Sequence, residues 1–194
     1  MVDEPLPEFD GVPTWLETPV TGVPPTSPPV QSRPGVLPLN ELSWEHFERL
    51  CLRYVRSRAS VVTSQLYGVR GQNQQGIDLY ARLTEPARYE VYQCKRLKAF
   101  EADDIANAVG KFLKGKWGDK AKAFWIMTSH TIEDTEIADA IVAEQTRLSE
   151  HGIELGVLGQ EQISAWLKDQ PRIVDDFFSL RRRVAIASLS DREA

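Results

Sequence analysis

The sequence predicts an α/β fold, a mixed β-sheet flanked by helices, and three observations carry that reading. From Leu39 onward, short β-rich runs alternate with stretches of helical apolar spacing. Two of the runs, Ile77 to Leu83 and Tyr89 to Arg96, are separated only by Thr84-Glu85-Pro86-Ala87-Arg88, which suits an antiparallel hairpin. The later runs are joined through helices, as parallel crossovers require.

The elements follow in order. Ten of the twelve prolines lie in residues 1–38, together with five acids against one base. Proline removes backbone donors, so this segment reads as a flexible acidic arm, dispensable for chemistry. Residues 39–180 form the folded domain, and residues 181–194 read as a basic tail or linker opening on Arg181-Arg182-Arg183. Ser43 caps a first helix from Trp44 to Ser57, with Leu42, Phe47, Leu50, Cys51, Tyr54 and Val55 at helical spacing. A strand from Ser60 to Leu66 precedes a Gly- and Gln-rich stretch, Gly68 to Gly76. After the hairpin, a helix starts at Asp103 or Asp104 and runs to Leu113. Ala123 to Thr128 is a strand, Ile132 to Ser149 a long helix ended by Gly152, and Glu154 to Leu158 a last strand. Two short helices, Glu161 to Lys168 and Arg172 to Phe178, flank Pro171.

Composition removes several classes. Of 194 residues, 42% are hydrophobic and 26% charged, which excludes a fibrous or wholly disordered chain. No apolar run is long enough to span a membrane, so no membrane partner is expected. Met1 to Asp10 carries acids and prolines, unlike a secretory signal. Cys51 and Cys94 are the only cysteines and read as reduced thiols of a cytoplasmic protein. The net charge is −5, but −4 of it belongs to the arm, so the domain is close to neutral and free to hold a polyanion through a local patch. His46, His130 and His151 share no metal-ligand spacing, and no GxSxG, HExxH or Walker loop is present.

The chemistry concentrates in Gly76-Ile77-Asp78 and, on the next strand, Gln93-Cys94-Lys95. Side chains alternate along a strand, so Gln93 and Lys95 share one face, while Tyr92 and Cys94 share the other. An acid, an amide oxygen and a lysine then converge. A hard cation such as Mg2+ takes oxygen ligands, which Asp78, the Gln93 side chain and a backbone carbonyl can supply. Lys95 adds positive charge where a phosphate and an attacking water meet. An ordinary cross-strand ion pair is the competing reading of Asp78 with Lys95. Gly76, Gln93 and Glu48 around them favour the site.

These residues, with Phe47-Glu48 on the first helix and Gln93-Cys94-Lys95-Arg96 on the strand, resemble the Mrr-like branch of the PD-(D/E)xK nucleases, in which Gln replaces the usual acid before the lysine. The resemblance covers Leu39 to Ser129 and implies a restriction-endonuclease-like fold and a metal-dependent DNA endonuclease. It implies Asp78 as the principal metal ligand and Lys95 as water-positioning base or electrophile. Gln93 would be a ligand or orienter, the Cys94 backbone carbonyl a further ligand, and Glu48 the second carboxylate. Glu45 is the rival of Glu48 for that role. The implied cofactor is Mg2+, with Mn2+ as substitute, and the implied partner is double-stranded DNA. Members of this kind are often effector modules of prokaryotic defence systems, joined to an NTPase or sensor on a longer or separate chain, and a homo-oligomer is open. A catalytically silent DNA-binding or scaffold module of the same fold is the alternative, as is action on RNA or branched DNA.

Basic residues supply the means to hold DNA. Lys111 to Lys122 contains five lysines against one acid, Asp119, with Trp117 among them. Lys111, Lys114, Lys116 and Lys120, with Arg96 and Lys98, are the expected phosphate contacts. A solvated helix end is the plain alternative for the lysines, and a solvated turn for Gln72, Asn73, Gln74 and Gln75.

Overall fold

The computed structural model describes residues 35–68, 74–84 and 88–178. The arm up to residue 34, Gln72, Asn73 and the arginines 181–183 lie outside the described residues.

Helix α1 (Trp44–Ser57) is capped by Ser43, whose Oγ accepts the His46 N–H at 3.2 Å. It leads into β1 (Val61–Leu66), β2 (Leu79–Leu83) and β3 (Tyr89–Lys95), which pair antiparallel. Helix α2 (Ala102–Leu113) crosses to β4 (Ala121–Thr128), and α3 (Thr135–Ser149) crosses to β5 (Glu154–Leu158), both strands joining in parallel. Helices α4 (Gln160–Leu167) and α5 (Pro171–Phe178) complete the described residues. The five strands lie in the order β1-β2-β3-β4-β5, so the mixed sheet flanked by helices is as the sequence predicts.

Several boundaries differ, each for a local reason. Helix α3 starts at Thr135 rather than Ile132, because the Asp134 carboxylate accepts the N–H groups of Glu136 at 2.8 Å and Ile137 at 3.4 Å. Helix α2 starts one residue before Asp103, with the Glu101 N–H donating to Asp104 Oδ2 at 3.1 Å. Helix α5 takes in Pro171, which at a first helical position lacks only a donor the helix does not use. Strand β2 begins at Leu79 rather than Ile77, since Gln75 and Gly76 have left-handed backbones (φ 55° and 85°) and form a turn closed by the Ile77 N–H on Gln74 O at 3.2 Å.

Each face of the sheet carries its own core. Helices α2 and α3 lay Ile105, Val109, Phe112, Ile137 and Leu148 on Val91, Phe124 and Ile126. Phe112 and Phe124 stack at 4.4 Å. On the opposite face Phe47, Leu50 and Val55 of α1, with Ile163, Leu167 and Ile173, cover Leu79, Ala81, Tyr92 and Met127. This second core encloses a charged network. The Arg58 guanidinium, just past α1, donates to both carboxylate oxygens of the buried Glu90, one at 3.1 Å, and to the Tyr92 hydroxyl at 2.6 Å. The Tyr92 hydroxyl itself donates to Glu90, and Arg58 lies 5.2 Å from the Trp125 ring centroid. Leu37 is tied to α4 before the first helix begins, through Ser164 Oγ at 3.0 Å and Gln160 Nε2 at 2.8 Å. Among the described residues no helix is long and apolar enough to cross a membrane.

Candidate metal and phosphate site

Two left-handed residues deliver Asp78. Gly76 has no alternative, because a Cβ there would sit 2.9 Å from backbone atoms of Lys111 and Phe112. Past it, Ile77 is buried in the α2-side core and anchors the turn. The Asp78 backbone is held from both sides: its N–H donates to Tyr92 O at 2.7 Å, and its carbonyl accepts the Tyr67 N–H at 2.7 Å. Its carboxylate Oδ2 accepts the Cys94 N–H, also at 2.7 Å. The nearest partner of Asp78 is thus the β3 backbone, and no ion pair with Lys95 forms among the described residues.

The register Leu79↔Tyr92 sets Asp78 opposite Gln93, and alternation turns Gln93 and Lys95 toward α2 and Tyr92 and Cys94 toward α1. Gln93 Oε1 is buried with no hydrogen-bond partner. An orphaned acceptor of this kind is costly unless something fills it. Lys95 is half-buried, and burial pulls its ammonium below the usual lysine range. Asp104 opposes that shift, Lys111 adds to it, and Asp78 again opposes it.

The two carboxyls resist ionisation together. Burial pushes Glu48 up to about 7, and the charges of Asp78 and then Glu45 push in the same direction. Burial also raises Asp78, against the Cys94 N–H and Lys95. The Cys94 thiol is raised as well, through its hydrogen bond to the Cys51 thiol and its burial. Neighbouring carboxyls that are both raised are short of positive charge, which a divalent ion would supply. The donors fit such an ion: two carboxylates, the empty Gln93 Oε1 and the Cys94 carbonyl are all hard oxygens. Among the described residues no group of three or more His, Cys, Asp or Glu side chains is gathered to hold a metal, so neutral oxygens have to complete any shell here.

The raised Glu48 carries a pH prediction. Its unfolded value is near 4.5, so between that pH and about 7 the folded state holds the extra proton and stability falls as pH rises. Metal-free denaturation titrations across that window should show the decline, and Glu48→Gln should flatten it. Divalent-ion affinity should run the other way, rising about tenfold per pH unit below 7 if one proton leaves on binding. Calorimetry showing a pH-independent affinity would remove Glu48 from the shell.

The basic residues divide. Lys111, Lys114, Lys116 and Lys120 are exposed. Their loop is docked rather than loose: Trp117 is surrounded by Tyr67, Tyr80 and Tyr89 at 5.4, 5.1 and 5.6 Å, and Lys120 Nζ lies 5.9 Å from the Trp117 ring. The loop also touches the turn before Asp78, where the Lys116 N–H donates to Gln75 Oε1 at 3.1 Å. Arg96 is drawn to the α1 side, donating to Asn40 O at 2.9 Å. Lys98 borders an open cavity of about 640 Å3 whose other charged side chains are mostly acids, Glu101, Asp103, Asp134 and Glu136.

Sequence reasoning missed the placement of Asp104 and Lys111 beside Lys95, the Cys51–Cys94 thiol contact and the Gln75 contact with the lysine loop. Gly76 and Gly115, one on each side of the junction between turn and lysine loop, were the available signal. No curated protein and no solved structure matches the chain. A family model described as restriction endonuclease, the Mrr catalytic domain, matches residues 39–152, which contain α1, all of β1 to β4 and every element that places Asp78, Gln93 and Lys95. With more than half of its length matched, and on the fold such a domain implies, the chain belongs to the Mrr-like restriction endonuclease family.

Proposed function

We propose that the domain hydrolyses DNA phosphodiester bonds with a divalent ion, Mg2+ or Mn2+, held by Asp78, Glu48, Gln93 Oε1 and the Cys94 carbonyl. The observation that carries this reading is the pairing of two raised carboxyls with an orphaned amide oxygen, in a chain of the restriction endonuclease family. A bound ion supplies Lewis acidity at a phosphate oxygen and stabilises the leaving group. The chain's own residues do the rest. Lys95 cannot ligate a metal while protonated, so its ammonium serves the phosphate or, once it has lost its proton, the attacking water. Its lowered affinity for the proton suits the second use. Asp78 is held by three backbone contacts, which place its carboxylate against β3 beside Gln93. The products would be 5′-phosphate and 3′-hydroxyl ends, and the protein would serve as the nuclease effector of a defence system with an NTPase or sensor. Incubating supercoiled plasmid with Mg2+, Mn2+ or EDTA tests the reading. Metal-dependent nicking supports it, whereas equal DNA binding in all three with no cleavage supports the silent module.

The lysine loop should govern affinity for DNA. Changing Lys114, Lys116 and Lys120 together to Gln should weaken binding alike on unrelated sequences. The slope of log affinity against log salt should fall by about 0.9 for each phosphate that the loop no longer neutralises. The Lys116 bond to Gln75 uses a backbone N–H and survives this change. A slope equal to wild type would assign the phosphates to other side chains, such as Arg49 and Arg53 of α1.

A further inference from the structure

The lysine loop and the turn carrying Asp78 are clasped together at Gln75. Three contacts form the clasp. The Gln75 amide oxygen accepts the Lys116 N–H at 3.1 Å. Gly115 approaches the Gln75 carbonyl so closely that a Cβ would fall 2.6 Å from it. Gly76 leaves no room for a Cβ against Lys111 and Phe112. Gln75 keeps a left-handed backbone, φ 55°, that a residue with a Cβ adopts only under constraint. Three residues later the chain places the Asp78 carboxylate on the Cys94 N–H. A shift of the lysine loop therefore moves the turn, and a shift of the turn moves Asp78.

We propose that Gln75 is a positioning residue that couples the phosphate-holding lysine loop to Asp78, so that a DNA backbone on the loop and a divalent ion at Asp78 strengthen each other's binding. This rests on the nuclease reading above. Coupling of this kind is reciprocal: DNA must raise metal affinity by the same factor as metal raises DNA affinity.

The test uses the full chain with Lys95→Ala as background, which keeps DNA intact in the presence of Mg2+. Mg2+ affinity is measured by calorimetry with and without a saturating duplex. The ratio of the two is the coupling factor, expected at about 5-fold or more. Adding Gln75→Ala should bring the ratio to within about twofold of unity, after correction for any change in DNA affinity. Gly115→Ala attacks the same clasp from the other side, leaves Gln75 in place, and should do the same. A thermal midpoint close to that of the parent shows which variants are folded, and either one suffices for the test.

A second readout needs no metal. In EDTA, hydrogen exchange at the Asp78 N–H should slow when duplex binds, and this slowing should vanish with Gln75→Ala. A folded Gln75→Ala protein that keeps the parent's coupling and exchange response would overturn the proposal. So would a parent that binds both ligands with no coupling, and in either case the nuclease reading stands. Failure of that reading looks different: the wild-type chain would bind plasmid yet leave it uncut with Mg2+ and with Mn2+.

Discussion

Asp78→Asn should lower DNA cleavage by about 10^3-fold or more, as expected when several kcal/mol of transition-state stabilisation is lost. The fold should survive, because an asparagine oxygen can still accept the Cys94 N–H that Asp78 holds at 2.7 Å. Asp78→Ala is the harsher variant. The acid has a structural partner as well as its proposed chemical task, and leaving the Cys94 N–H without an acceptor costs about 1–3 kcal/mol. Comparing the two separates the roles: both should be inactive, and only the alanine variant should show a clear drop in thermal midpoint. Lys95→Ala should also stop turnover, yet its Mg2+ affinity should stay within a few-fold of wild type, since the ammonium is no ligand. Plasmid nicking at near wild-type rate by a folded Asp78→Asn protein would refute the assignment. Loss of all metal binding in Lys95→Ala would instead make the lysine part of the scaffold.

The largest effect on stability is expected at Glu90. Its carboxylate is buried and takes both the Arg58 guanidinium and the Tyr92 hydroxyl. Removing one member of a buried pair strands the other charge in low dielectric, so Glu90→Ala should cost about 3 kcal/mol or more. On a domain of this size that corresponds to a fall of about 10 °C in thermal midpoint. Glu90→Gln keeps the shape and an acceptor and should cost less. Arg58 is about a quarter exposed, so water can soften its isolation (side-chain exposure 26%). A scanning calorimetry shift under 2 °C for Glu90→Ala, on the order of 1 kcal/mol or less, would show that the network adds little net stability. Because Glu90 lies four residues before Cys94 on β3, residual activity well below the melting range should be near wild type.

Much of this molecule was legible in order and little of it in contact. Helix α1 was readable because Ser43 is a good cap and the apolar positions keep helical spacing to Val55. The β2–β3 hairpin was readable because β-rich runs flank a short proline-containing link. The start of α3 was misplaced because Ile132 continues the apolar pattern, whereas Asp134 satisfies the free N–H groups and fixes the true end. Asp78, Gln93 and Lys95 could be grouped because all three lie on one hairpin, where strand alternation settles which side chains share a face. Asp104 and Lys111 could not, since their placement depends on how α2 crosses the sheet, and sequence spacing does not carry a crossing angle. The pairing of Arg58 with Glu90 went unread for the same reason: only packing of α1 on β3 brings the two together.

Gly76 gives the family motif an unexpected fragility. Every other amino acid would bring a Cβ to within 2.9 Å of the α2 backbone at Lys111 and Phe112, and also strain a left-handed φ of 85°. A change there leaves Asp78, Gln93 and Lys95 untouched in the sequence while displacing the turn that delivers the acid. Gly156 is similar at a distance, since its Cβ would enter the Trp125 ring at 2.2 Å. In a lineage, then, the activity proposed for this domain can be lost without erasing its signature, and descendants can inherit a complete set of motif residues that no longer meet. The spelling of the motif and the survival of the function are inherited separately, and the glycines are where they part.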